Sequence, residues 1–449
     1  MRKILVAAFT VVTAAVPTCV QAQGFTVLHS FTTKTPNSPA KAMAQSRGGY
    51  LFTTTEDWNS ILGSAIRLTL DGKMTVVHHF TGTKPITPRS GLVLGSDGRF
   101  YGATEGSGLY RDGTIFKMNP DGTLTTIHNF MDGADGTTPS EPLIESMAGD
   151  LVGSSRSKTT SLGTIFKVSK SGQFTVLRTS TDPNDFTEGP LFQADDLYFY
   201  GTSGNTGPDK NGSLFKINTS GTYKGVYKFK GPGGTHPSHG VIQASDGNFY
   251  GTAQDTTPGV YGVVFRVTPG GVYTVMHSFP QAQGTPSTLV QGNDGNIYGS
   301  TVGGGANNSG ILYRIGLDGS FAKVYDFDSS AGTSGEGPPI LQHTNGLLYG
   351  ANQSGGALLG GTIWSYDLGL PPFVRYLPVY GRVGSTVEIL GQGFTPSTQV
   401  SFNGVAAATT VVYPTYLKAI VPAGATTGYI TVATPGGTLK SNKLFVVRP

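Results

Sequence analysis

The sequence is poor in the residues that announce most chemistries. It holds one cysteine, Cys19, and two tryptophans, and Asp, Glu, Lys and Arg together make up 13% of its 449 residues. A single cysteine rules out a disulfide framework within the chain. The formal net charge of +4 is too slight to argue for nucleic acid or an anionic membrane surface. Beyond the N-terminal stretch no run is apolar enough to span a bilayer, and long helix-period segments are absent. Cofactor and nucleophile motifs are missing as well. Gly303-Gly304-Gly305 lacks the Lys and Ser/Thr of a phosphate loop, and no serine sits in a G-x-S-x-G elbow. His236-Pro237-Ser238-His239 is a lone H-x-x-H without a third ligand nearby, so neither a metal nor a cofactor is expected.

Glycine is abundant, at 66 residues, and 37% of the chain is hydrophobic, which is enough to build cores around many tight turns. The first residues read as a secretory leader: Arg2-Lys3, the apolar stretch ILVAAFTVVTAAV, then VQA with cleavage after Ala22. Val16-Pro17-Thr18 fits poorly before a lipid-modified Cys19, so the mature chain is expected to be free of cysteine. No hydrophobic or basic sorting tail precedes Pro449. A secreted protein, periplasmic or extracellular, is the expectation.

One unit repeats. GTIFKMNPDGTLTTIHNF, from Gly113, has close copies beginning at Gly163, Gly212, Gly262 and Gly310, about fifty residues apart. Each unit reads as four short strands. In the second complete unit these are 91–95, 99–104, 113–118 and 124–130, joined by Ser96-Asp97-Gly98 and Pro120-Asp121-Gly122, turns of the kind tight hairpins need. The second and third strands each occur seven times, but the fourth occurs only six times after its third. The missing copy lies at the other end, where FTVLHSF (25–31) nearly duplicates YTVMHSF (273–279). One end of the repeat therefore supplies the strand that the other lacks. That is the arithmetic of a ring of four-stranded units, an all-β seven-bladed β-propeller closed by its N-terminal strand, and not of an open solenoid.

The repeat resembles the Gloeo/Verruco (GloVer) tandem repeat, on the strength of ASDGNFYGTA, GSDGRFYGAT and GTIFKMNPDGTLTTIHNF, over nearly everything from Phe25 to Asp367. It departs in MAGDLVGSS, which lacks the aromatic pair, and in YLFTTT, which has no glycine. The resemblance implies an exported bacterial protein and no particular reaction. Beyond LGLPPF, the segments GSTVEILGQGF, VSFNGVAA, AIVPAGATTGYITVATPGG and NKLFVV resemble an IPT/TIG domain, which implies an immunoglobulin-like β-sandwich used as a spacer or binding module. The expected organisation is a leader (1–22), a propeller (24–368), a linker (369–373) and a sandwich (374–449).

In a propeller the repeated positions build the blades, so function is sought where blades differ on one face. The ends of the second strands place Glu56, Glu105, Arg156, Gly204, Gln254, Val302 and Gln353 near the channel. The starts of the first strands place Lys41, Ser90, Glu141, Gly189, His239, Thr288 and Pro338 there. Nearby loops add Trp58, Tyr110, Arg111 and Tyr261. Glu56, Glu105, Glu141 and His239 are the candidates for acid/base work, as in a glycoside hydrolase or polysaccharide lyase. Trp58, Tyr110, Arg111, Arg156 and Lys41 are candidates for holding sugars by stacking and hydrogen bonding. A solvated loop face without a ligand is the plainer alternative. His29, His78, His128 and His277 recur one blade apart at the rim and read as half-exposed strand residues, and the Asp-Gly pairs read as turn chemistry. The expected partner is an extracellular polysaccharide or cell-envelope polymer, with a protein partner for a scaffold as another reading, and the expected state is a monomer.

Overall fold

The computed structural model describes residues 24–34, 36–57, 62–81, 86–205, 210–333 and 340–448. The leader with Cys19, Trp58 and Pro338 lie outside the described residues. Among the described residues, the strands between Phe25 and Tyr366 form seven four-stranded antiparallel sheets. Sheets are numbered here by their inner strand in chain order. Sheet 1 runs Pro39–Gln45, Leu51–Thr55, Ser64–Leu68 and Met74–His79, from inner to outer. Sheet 7 is composite: its inner three strands end with Leu359–Tyr366, and its outer strand is Phe25–Thr32. The expected pairing is present, with Phe25 opposite Tyr366 and Val27 opposite Trp364.

The second strands, such as Phe100–Thr104 and Phe249–Ala253, are buried at every residue. They lie in sheet interiors covered on both faces, which is why they lack polar alternation. Cores form between sheets: Phe52 of sheet 1 stacks on Phe100 of sheet 2 at 4.2 Å, and Tyr200 of sheet 4 on Phe249 of sheet 5 at 4.0 Å. The outer strands carry a second seam. His128 lies flat on Phe174 at 3.9 Å, Arg178 on Tyr223 at 3.9 Å, Tyr227 on Tyr273 at 4.5 Å and His277 on Phe321 at 3.8 Å. Tyr325 of sheet 6 continues the series onto Phe25 at 4.5 Å, on the N-terminal strand of sheet 7. Of the rim histidines, His128 and His277 are therefore half-buried stacking partners, while His29 and His78 meet Phe31 and Phe80 edge-on. Burial lowers the pKa of His29, His78, His128 and His277, which keeps them uncharged at neutral pH.

The aspartates of the inner turns do more than turn the chain. Asp97, Asp196, Asp246 and Asp294 each accept a hydrogen bond from a buried tyrosine four residues on, Tyr101, Tyr200, Tyr250 and Tyr298, at 2.8 to 2.9 Å. Burial first, and the neighbouring carboxylate second, raise the phenol pKa at Tyr101, Tyr250 and Tyr298. At Tyr200 burial is again the main cause, Lys216 partly opposes it, and the value reaches about 12. A phenol whose folded pKa exceeds its unfolded value of about 10 stabilises the fold below that pH and loses this contribution as pH rises through the folded value. The melting temperature is therefore expected to hold up to about pH 10 and to fall between about pH 10 and 12. Tyr200→Phe should flatten that fall; an unchanged alkaline profile in the variant would remove Tyr200 from the explanation.

Residues 374–448 form two further sheets around one core that includes Val387, Phe402, Ile430 and Phe445. This C-terminal unit docks on the face that carries the turns of the inner hairpins. Arg47, in the first turn of sheet 1, pairs with Glu388 at 2.5 Å and lies over the Tyr416 ring at 4.7 Å. Gln45 donates to Thr344 Oγ1 at 2.7 Å, Gln392 donates to the same oxygen at 2.9 Å, and Tyr380 donates to the Met147 carbonyl at 3.2 Å. The face with the expected site is the opposite one. Among the described residues no helix is long and apolar enough to cross a membrane.

Candidate functional site at the channel mouth

The inner strands run along the central passage, so a residue at the start of one stands at the mouth. Lys41 lies in the strand Pro39–Gln45 of sheet 1, and Glu141 lies three residues before Ile144–Glu145 of sheet 3. Their side chains meet as an ion pair at 2.7 Å, joining residues one hundred apart in sequence. At 21% and 15% side-chain exposure the pair is partly desolvated, which strengthens it relative to a surface pair. Beside it, Glu56 is buried, and its carboxylate lies 3.3 Å from the Arg89 guanidinium. Glu105 is half-buried, and its backbone bridges to Thr87.

The sequence argument missed one carboxylate. Glu188 opens the strand Glu188–Gln193 of sheet 4, one residue before the Gly189 that was placed in the series. Burial raises its pKa first and the charge of Glu141 second, while Arg156 and Lys41 act in the opposite sense. Four charged groups from sheets 1, 3 and 4 thus share one field. A signal existed. Gly204 is the only glycine among the seven second-strand ends, and a Cβ there would lie 2.1 Å from Glu188 Oε2. The missing side chain is the space this carboxylate fills.

Arg156 stands exposed at the end of Leu151–Arg156, its guanidinium 4.0 Å from the Phe186 ring centre and its Nε donating to the Ser161 carbonyl at 3.1 Å. The His239 backbone packs against Gly189, next to Glu188, while its ring contacts the Ser238 and Thr252 hydroxyls at 3.2 and 3.3 Å. His236 bonds a different hydroxyl, Thr235, so the H-x-x-H pair does not converge. Among the described residues no three His, Cys, Asp or Glu side chains form a metal-binding group. Tyr110 is 52% exposed in a loop that also carries Arg111. The Leu109 N–H donates to Asn129 on the outermost strand of sheet 2, which draws this loop toward the rim. Tyr261 is also exposed.

What the mouth offers is a set of fixed donors and acceptors whose charges largely cancel in pairs. Such a surface favours hydroxyl-rich, weakly charged ligands over polyanions or polycations.

Comparison with solved structures finds the same architecture at low identity, so the likeness is one of fold. An oligogalacturonate lyase solved in complex with manganese superposes with a TM-score of 0.55 at 13% identity, covering 79% of this chain and 94% of that one. The WD40 β-propeller domain of Doa1 gives 0.51 at 12% identity, covering 77% and 97%. Comparison with curated proteins finds no match. The Gloeobacter/Verrucomicrobia repeat model matches residues 38–245 and 236–377, and the IPT/TIG domain model matches 371–447. The chain belongs to the Gloeobacter/Verrucomicrobia repeat family and carries an IPT/TIG domain at its C-terminal end.

Proposed function

We propose that this is an exported recognition protein, a ring of seven blades closed by its N-terminal strand, that binds an extracellular glycan or cell-envelope polymer at the channel mouth. The observation that carries the reading is the Lys41–Glu141 pair, reaching from sheet 1 to sheet 3 beside Glu188 and Arg156. Paired charges hold their polar atoms in place, so sugar hydroxyls meet a preorganised lattice at little ordering cost. The fold likeness to an oligogalacturonate lyase adds that this architecture serves polysaccharide chemistry in at least one neighbour. A hydrolase or lyase is the second reading, favoured by one fact: Glu188, with its raised pKa, sits close enough to Glu141 for the two carboxylates to feel each other.

Incubation with a panel of neutral and acidic polysaccharides, scoring both retention and new reducing or unsaturated ends, separates the readings. Retention without new ends, weakened about tenfold or more by Lys41→Met with Glu141→Gln, is the expected result. New ends that vanish in Glu188→Gln would move the protein to the enzyme reading. No retention and no new ends would overturn both.

A further inference from the structure

Below the mouth lies a cavity. Lys41 and Glu141 immediately precede Ala42 and Pro142, which begin the wall of a cavity of about 420 Å³. The inner strands form its sides, and the C-terminal unit closes its floor. Met43, Leu92, Leu143, Ile144, Leu341 and Leu390 make the lining mainly apolar. The volume is in the range of small-molecule sites.

Four charged residues line this chamber, and three of them are satisfied. Arg47 pairs with Glu388 at 2.5 Å, and Glu145 pairs with Lys170 at 2.6 Å. The fourth is Arg375, on the strand Arg375–Leu377 at the floor, and among the described residues its side chain has no hydrogen bond or ion pair. Arg375 is solvent-exposed, and it is one of the residues that line the chamber. Its charge acts unfavourably on two neighbouring groups. Lys443, whose ammonium lies 5.2 Å from the centre of the Phe192 ring in the chamber wall, has its pKa lowered first by burial and then by Arg375, with Asp195 opposing. The buried His343 also feels Arg375. An unpaired guanidinium that borders a mainly apolar cavity, with a second cation near it, favours an anionic ligand over a neutral or cationic one.

We propose that this chamber binds a small amphipathic monocarboxylate, the Arg375 guanidinium pairing with its carboxylate and the apolar wall covering its hydrocarbon body. A planar guanidinium matches a carboxylate with two parallel hydrogen bonds, and its geometry suits this better than a point charge would. The lining excludes a free sugar, whose hydroxyls would find no partners along Leu92, Leu143 and Ile144. The site is separate from the mouth and does not depend on what binds there.

The test is calorimetric titration of the full chain with octanoate and 3-phenylpropanoate, against octan-1-ol, acetate and inorganic phosphate. At least one of the two larger acids is expected to bind once per chain, with the alcohol and the small anions weaker by about tenfold or more. Arg375→Met should weaken the acid by a similar factor, and the ligand-free variant should melt like the parent, because this side chain has no hydrogen bond or ion pair to lose. If Arg375 served only to fasten the floor, the variant would melt lower. Ile144→Phe, which fills the chamber and leaves Arg375 in place, should also abolish binding. Failure of both acids to saturate, equal binding of the alcohol or of phosphate, or full binding by either variant would overturn the proposal.

Discussion

A chain that begins at Thr32, lacking Gly24 to Phe31, is expected to lose its cooperative melting transition or to melt far below the parent. Among the described residues the strand Phe25–Thr32 is the one paired with the outer side of Leu359–Tyr366, and without it a row of backbone donors and acceptors faces water or another chain. The loss in packing is as large. Phe31 is 1% exposed, and Phe25 lies between Tyr325 at 4.5 Å and Trp364 and Phe327, both at 5.7 Å. Removing one such buried aromatic side chain costs about 3 to 5 kcal/mol, and whole domains are stable by about 5 to 15 kcal/mol. Phe31→Ala serves as the milder version, expected to lose about 3 to 5 kcal/mol in denaturant titration. If both the truncated chain and the point variant melt like the parent, the N-terminal strand does not close the ring.

The second large effect is expected at Gly122, in the turn Pro120-Asp121-Gly122. Its φ is +92°, which a side chain disfavours, and a Cβ there would lie 1.8 Å from the Val77 carbonyl oxygen of the preceding sheet. Gly72 repeats the arrangement against Leu28, on the N-terminal strand, at 2.2 Å. The turn is thus a spacer between sheets, and a methyl group would push sheet 2 away from sheet 1. Gly122→Ala is expected to cost about 2 to 5 kcal/mol, about 1 to 2 from the left-handed backbone and the rest from the forced separation. Gly247→Ala is the matched control: its φ is +79°, but nothing lies within 4 Å of the added Cβ. It should lose only the backbone part, about 1 to 2 kcal/mol. Equal losses at the two positions, read as denaturant midpoints, would show that close approach between sheets contributes nothing.

Much of the fold could be read from the chain because its causes are local and repeated. Recurring short strands, Asp-Gly turns and a count of fourth strands that came out one short led to four-stranded sheets and to the pairing of FTVLHSF with GTIWSYD, which the register bears out. The same reading named Lys41, Glu141 and Arg156 as neighbours of the channel, since matching positions of a repeat fall at matching depths. It passed over Glu188 by one position, because a register shift between Glu188 and Phe192 displaces that strand's start. It also took the aspartates of the Asp-Gly turns as turn formers alone and missed that three of them, Asp97, Asp246 and Asp294, hold buried tyrosines.

By itself, then, the sequence determined the repeat, its strands, its turns, the strand that completes the last sheet and the family. Which side chains face one another across the passage was decided only in three dimensions. Lys41 meets Glu141 from a hundred residues away, and Gln45 meets Thr344 from 299 away. The chamber over Arg375 exists because a separately folded C-terminal unit docks on the inner turns. Local patterns set what each strand and turn becomes. Contacts between distant residues depend on how the sheets are arranged and how the units dock, and that geometry has no period to read.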